Sequence, residues 1–116
     1  DLLKKPYYVN MVMGAGGMGG YPGTPKNLIT MADHLPAGAV FNVTAIGRYQ
    51  IAMNVMSIIM GGHTRVGMED NVYYRKGELA KSNAQFVERV VRLARETGRE
   101  VATPDEARQI LGLKPL

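Results

Sequence analysis

A chain of 116 residues, 46% of them hydrophobic, can bury one modest core, and the absence of cysteine excludes a disulfide framework and a thiolate metal site. The formal net charge of +4 does not point to nucleic acid, because much of the positive charge, Arg89, Arg92, Arg95 and Arg99, is interleaved with Glu88, Glu96 and Glu100 in the pattern of a solvated helix face. No apolar run reaches membrane-spanning length, since Arg48, Gln50 and Asn54 interrupt the most hydrophobic segment, so neither nucleic acid nor membrane is expected as a partner.

Tyr7 to Met13, apolar and aromatic between Pro6 and Gly14, reads as a strand buried in a parallel sheet. Gly14 to Gly23 is a glycine-rich loop. Thr24 is the expected N-cap and Pro25 the first position of a helix over Lys26 to Leu35 that stops before Pro36, with His34 near its end facing the helix dipole rather than a metal. Ala39 to Ala45 is a second strand. A second helix opens at Gly47 or Arg48 and stops at Gly61-Gly62; Ile51, Val55, Ile58 and Ile59 recur in it at helical spacing and are predicted to cover the sheet, with Met53, Met56 and Met60 as packing residues.

His63 to Asp70 is the predicted third strand. Alternation along it puts His63, Arg65, Gly67 and Glu69 on one face and Thr64, Val66, Met68 and Asp70 on the other. Gly67, lacking a side chain, leaves a vacancy between Arg65 and Glu69 where a ligand could approach the backbone. Two uses of that pair stand open: an ion pair closing the sheet end, or a cationic anchor with an anionic metal ligand or base around a small cavity. His63 would lie about 20 Å from Glu69 at the strand rise of about 3.3 Å per residue, and is read as a hydrogen-bonded structural histidine.

Asn71 to Lys81 is a connection carrying Tyr73, Tyr74, Arg75 and Lys76, available for an interface or a coenzyme contact. Ser82 with Gln85 makes a capping box for a helix to about Thr97, and Thr103 with Glu106 makes another for a short terminal helix ending at Gly112. This α/β order fits the last three βα units of an eight-fold (β/α)8 TIM barrel, or a doubly wound sheet. Active sites of such barrels lie at the C-terminal ends of strands, where Asn10 to Gly14, Thr44 to Gly47 and Glu69-Asp70 would converge.

The loop holds a literal G-x-G-x-x-G at Gly14, Gly16 and Gly19, but Gly20-Tyr21-Pro22-Gly23 separates it from the helix and the next strand ends without a carboxylate. A nucleotide-binding module is therefore the less favoured alternative, behind a loop bordering the barrel mouth or a plain turn. Arg48, a cation at a helix start, is unfavourable there unless an anion neutralises it, which makes it a candidate substrate or coenzyme A contact.

Gly61 through Asn71 (Gly-Gly-His-Thr-Arg-Val-Gly-Met-Glu-Asp-Asn) with Tyr73 to Gly77 resembles the final strand of the beta-keto acid cleavage enzyme family, which has a member in lysine fermentation. Further matching blocks are Tyr7 to Gly14, Thr24 to Leu28, Ala45 to Gln50, Ser82 to Gln85 and Val101 to Pro104. The resemblance implies a zinc enzyme that condenses a 3-keto acid with acetyl coenzyme A and releases acetoacetate and a new acyl coenzyme A. It implies that Glu69 is a zinc ligand, Asp70 the catalytic base, and Arg65 a substrate-binding residue or an aid to that base. The family's other two ligands form a His-x-His pair, absent from this chain, where only His34 and His63 occur. Residues 1 to 116 are thus expected to be a single partial domain, the C-terminal part of a barrel, inactive or non-catalytic without the missing N-terminal segment or a partner chain. The default expectation is a cytoplasmic homo-oligomer, and a catalytic Asp70 would require a turn or bulge at the end of its strand.

Overall fold

The computed structural model describes residues 3–17 and 20–115. Alternation sets the first strand, β1 (Tyr8–Met13): Met11 and Met13 are buried while Tyr8, Asn10 and Val12 are exposed. The helix α1 (Pro25–Asp33) begins where expected, with Thr24 Oγ1 accepting from the Asn27 N–H and proline in the first turn. It returns the chain to β2 (Val40–Ala45), parallel to β1 with Asn10 opposite Asn42 and Val12 opposite Thr44. A 3-10 turn over Gly47–Tyr49 leads into α2 (Gln50–Ile59), and β3 (His63–Arg65) then pairs parallel to β2, His63 opposite Asn42 and Arg65 opposite Thr44. Strand order is β1-β2-β3, neighbours in sequence being neighbours in space.

One face of this sheet is apolar. Met11, Met13, Val43 and Ala45 pack with Leu28 of α1 and Met53 of α2 as a single cluster, against which Met56 and Met60 are partly buried, the packing role expected of those methionines. The other face carries Asn10, Asn42 and His63 in one row and Val12, Thr44 and Arg65 in the next, since residues paired in register share a face. Thr44 donates to Asn10 Oδ1 across it at 2.9 Å.

The buried stripe of α2 differs from the one predicted. Gln50, Met53, Asn54, Ser57 and Ile58 face inward, while Ile51 and Ile59 are 44% and 63% exposed. The spacing of the inward set is helical, but three of its five members are polar, and two of those find partners: Ser57 Oγ donates to the His63 carbonyl at 2.6 Å, and Gln50 accepts from Arg89 and Asn71. The helix ends as expected. Gly61, at φ +86°, lets its own N–H reach the Ile58 carbonyl and the Gly62 N–H reach that of Ser57, the paired bonds of a Schellman cap.

Beyond β3 the expected connection contains a two-stranded antiparallel hairpin, β4 (Tyr73–Arg75) and β5 (Glu78–Leu79), closed by an Arg75–Glu78 ion pair at 2.8 Å. The helix α3 (Asn83–Glu96) has Ser82 as N-cap, but Gln85 Oε1 accepts from the Lys81 N–H instead of closing a reciprocal box on Ser82. The box at Thr103 and Glu106 is complete, and opens α4 (Pro104–Ile110).

The arginines of α3 are not one solvated face. Arg89 is 7% exposed, lies over the rings of Tyr74 and Phe86, and donates to the Tyr74 carbonyl and to Gln50. Arg99 donates to the carbonyls of Ile58 and Gly62, tying the end of α3 to the end of α2. A guanidinium has five donors and a flat face, so it can be buried where an aromatic ring and carbonyl oxygens meet it, which charge spacing alone does not reveal. Among the described residues no helix is long and apolar enough to cross a membrane.

Candidate active site

The third strand stops at Arg65, five residues before its predicted end at Asp70. The chain turns at Gly67, whose carbonyl accepts from the N–H groups of both Asp70 and Asn71 at 3.2 Å. Alternation no longer applies past that point, and Arg65 reaches Glu69 Oε2 at 2.6 Å and Asp70 Oδ1 at 3.2 Å with the same terminal nitrogen. The ion pair that spacing allowed is formed, and the turn adds to it the carboxylate that alternation had sent to the opposite face. Beside Gly67 one side-chain atom comes near: Asn83 Oδ1 lies 3.5 Å from where a Cβ would stand, an ordinary contact, and accepts from the Met68 N–H at 2.7 Å.

The two carboxylates sit in different surroundings. The Glu69 side chain is 83% exposed, that of Asp70 only 7%. Burial pushes the Asp70 carboxyl above the usual carboxylate range; the Arg65 cation opposes that shift and the Glu69 anion adds to it. Asp70 Oδ2 is buried with no hydrogen-bond partner among the described residues. Asp70 thus has one oxygen oriented by a cation and one unsatisfied, with a raised proton affinity, which is what proton abstraction from carbon requires.

The strand ends are knit together. The Ile46 N–H donates to the Met13 carbonyl at 2.9 Å and the Gly47 N–H to the Asp70 carbonyl at 2.8 Å, so β1, β2 and the turn after β3 meet at one end of the sheet. Arg48 follows directly. It is exposed, donates to the Tyr49 hydroxyl at 2.7 Å and lies 4.8 Å over that ring, and the hydroxyl bond raises its pKa further. Tyr49 in turn packs on the glycine loop: a Cβ at Gly23 would stand 2.5 Å from Tyr49 Cβ, and one at Gly14 would overlap the ring. The Gly14 N–H donates to the Tyr21 carbonyl, so the loop folds back on the end of β1 and α1 begins later, at Pro25, unlike a dinucleotide-binding turn. Gly19, the third glycine of that spacing, lies outside the described residues.

His63 is half-buried beside Arg99, and burial first, the cation second, lower its pKa. The separation of about 20 Å from Glu69 rested on an extended chain rising about 3.3 Å per residue, and the turn at Gly67 removes that basis. His63 and Arg65 line a cavity of about 550 Å³ between the free edge of β3, Val87, Val90 and Val91 of α3, and Val101. His34 caps α1, with Nδ1 2.7 Å from the Thr30 carbonyl, the structural role expected.

No group of three or more His, Cys, Asp or Glu able to hold a metal occurs among the described residues. As a donor Glu69 suits zinc, an exposed carboxylate beside the Asp70 turn, but it is one ligand where a catalytic zinc site takes three from the protein. Sequence reasoning missed Gln50, Asn71 and Arg89. The available signals were the polar residues at i, i+4 and i+7 of an otherwise apolar helix, Gln50, Asn54 and Ser57, and Arg89 standing three residues after Phe86 on the stripe of α3 that packs inward.

The sequence profile of the beta-keto acid cleavage enzymes matches residues 1–113. The chain is 51% identical over 112 residues to the 3-keto-5-aminohexanoate cleavage enzyme of Fusobacterium nucleatum subsp. nucleatum, covering 97% of this chain and 40% of that protein. It is 52% identical over 111 residues to the enzyme of the same name from Acetoanaerobium sticklandii, covering 96% and 40%. A 3-dehydrocarnitine:acetyl-CoA trimethylamine transferase of Rhizobium meliloti is 34% identical over 112 residues, with 97% of this chain and 36% of that protein covered. The chain spans about 40% of the length of the first two of these relatives. With a profile match over nearly its whole length and relatives above half identity, the chain belongs to the beta-keto acid cleavage enzyme family.

Proposed function

We propose that these residues are the C-terminal three βα units of a (β/α)8 barrel whose complete form condenses a 3-keto acid with acetyl coenzyme A. Three parallel strands in chain order, with functional groups gathered at their C-terminal ends, support the barrel. The names of relatives that act with acetyl-CoA support the co-substrate. A cytoplasmic homo-oligomer is part of the same reading.

The observation that carries it is Asp70: buried, oriented by Arg65 through one oxygen, and without a partner for the other among the described residues. Asp70 takes a proton from C2 of the 3-keto acid, the carbon between keto group and carboxylate. C2 then attacks the thioester carbonyl of acetyl coenzyme A and expels the coenzyme A thiolate. The thiolate adds to the original keto carbon, the bond from that carbon to C2 breaks with its electrons left on C2, C2 takes back the proton held by Asp70, and acetoacetate leaves with a new acyl coenzyme A. Arg65 holds the Asp70 carboxylate and offers its remaining donors to the substrate carboxylate. Arg48, exposed beside the mouth, contacts substrate or coenzyme A phosphate. Glu69 is one zinc ligand, the others lying on residues outside this chain. When bound, zinc supplies Lewis-acid polarisation that makes C2 more acidic.

The test is turnover of the full-length protein with a panel of 3-keto acids and acetyl coenzyme A, read by mass spectrometry. Acetoacetate and the matching acyl coenzyme A are expected in equal amounts. No acyl transfer with any member of the panel would overturn the reading.

A further inference from the structure

Next to the Asp70 turn lies a buried polar chain whose side chains have no part in the reaction as described. Gln50 is 0% exposed, and its Oε1 accepts from Arg89 of α3 and from Asn71 of the turn, each at 3.2 Å. Asn71 also brackets the backbone of Tyr73, donating to its carbonyl at 2.7 Å and accepting from its N–H at 3.0 Å. Arg89 donates to the Tyr74 carbonyl, one residue further on, and lies against the rings of both Tyr74 and Phe86. Residue 71 is therefore tied to α2 directly and to α3 through Gln50, and it is the residue next to Asp70, whose own carbonyl is held by the Gly47 N–H three residues before Gln50.

Such a network is an expensive way to fill a core. Gln50 Nε2 is buried without a partner among the described residues, and Arg89 is desolvated enough to lower its pKa. A leucine at position 50 and an apolar residue at 89 would fill the same space without a buried charge or an unpartnered amide nitrogen. What an apolar pair could not do is grip the turn by a directional bond from the α2 side. The turn needs that grip because it leaves the sheet at Arg65 and carries its carboxylate on a segment that pairs with no strand among the described residues.

We propose that Gln50 and Arg89 are positioning residues that act through Asn71 to fix the Asp70 carboxylate. This rests on Asp70 being the base. A general base misplaced by about 1 Å can cost on the order of 100-fold, far more than loss of one turn hydrogen bond costs in stability. Asn71→Ala cuts the link at the surface and leaves the Gln50–Arg89 contact in the core, so the fold survives. Gln50→Leu cuts it in the core. Gln50→Glu keeps an acceptor for both Arg89 and Asn71.

In the full-length enzyme, Asn71→Ala and Gln50→Leu are expected to lower kcat and C2 proton exchange together, about 10- to 100-fold, with KM and zinc content unchanged. Gln50→Glu is expected to keep most of the rate. Combined with Asp70→Asn, Asn71→Ala should cause no further loss, because it acts through the group already removed. Wild-type kcat in Asn71→Ala, or a loss that multiplies with that of Asp70→Asn, overturns the proposal while the base assignment stands. Wild-type exchange in Asp70→Asn alone overturns the base assignment and the proposal with it. If Gln50→Leu does not fold, the Asn71→Ala and double-variant rates decide.

Discussion

Arg65 donates to Asp70 Oδ1 at 3.2 Å across the turn at Gly67, and the other oxygen of that carboxylate is buried without a partner among the described residues. Orientation by a cation and an unsatisfied lone pair occur in one residue, at the end of the sheet where three segments meet. Arg65 also opposes the upward push that burial gives the Asp70 carboxyl. Arg65→Met removes that opposition and nearly keeps the volume. The acid limb of the kcat/KM profile, which reports protonation of the base in the free enzyme, should then move to higher pH. A profile unmoved by the substitution would separate Arg65 from the base.

Asp70 is destabilising to the folded chain when ionised. Its folded pKa is raised, so the folded state binds the proton more tightly than the unfolded one, and stability falls as pH rises from the ordinary aspartate value of about 3.9 through the folded value. The cost is absent below that window and complete above it. Asp70→Asn, which cannot ionise, should therefore melt at a higher temperature than the wild type at pH 7, with the gap closing as the solution is acidified toward pH of about 4. Thermal unfolding of both proteins across that range checks the sign.

Glu69 is the exposed partner of Arg65, and its carboxylate can be shared with a metal without uncovering buried charge. Glu69→Gln should lower zinc content and turnover together in the full-length protein while leaving the melting temperature within a few degrees, as expected of a surface substitution. Metal analysis after dialysis reads this, and full zinc content in the variant would place the ligand elsewhere.

The free edges of β1 and β3 and the exposed Ile51, Ile59 and Val87 predict how residues 1–116 behave when produced alone. Unpaired strand edges and uncovered apolar side chains favour association. Light scattering should show oligomers or aggregate, whereas a monodisperse monomer with one cooperative unfolding transition would show that the three units stand alone.

Much of the framework was legible in the sequence because it rests on local rules. Thr24-Pro25, Gly61-Gly62 and Thr103 with Glu106 each mark a helix end by a mechanism that needs only residues a few positions apart, and each is found where it was expected. What was not legible depends on partners far along the chain. The stripe of α2 was misread because the partners of inward Gln50, Asn71 and Arg89, lie 21 and 39 residues away, and Arg89 because its aromatic cover comes partly from Tyr74 on the hairpin. The end of β3 was misplaced for a related reason. Extended alternation was carried through Gly67, where the backbone instead folds onto itself, and that fold is what brings Asp70 to Arg65.

The central claim is that Asp70 is the base, and exchange of the substrate's C2 protons with deuterated solvent measures it without requiring the later steps. In the full-length Asp70→Asn enzyme, with zinc content verified, NMR should show exchange slowed on the order of 10² to 10⁴ relative to wild type while the 3-keto acid still binds. Exchange at the wild-type rate would contradict the account, and would assign proton abstraction to a residue outside this chain's turn.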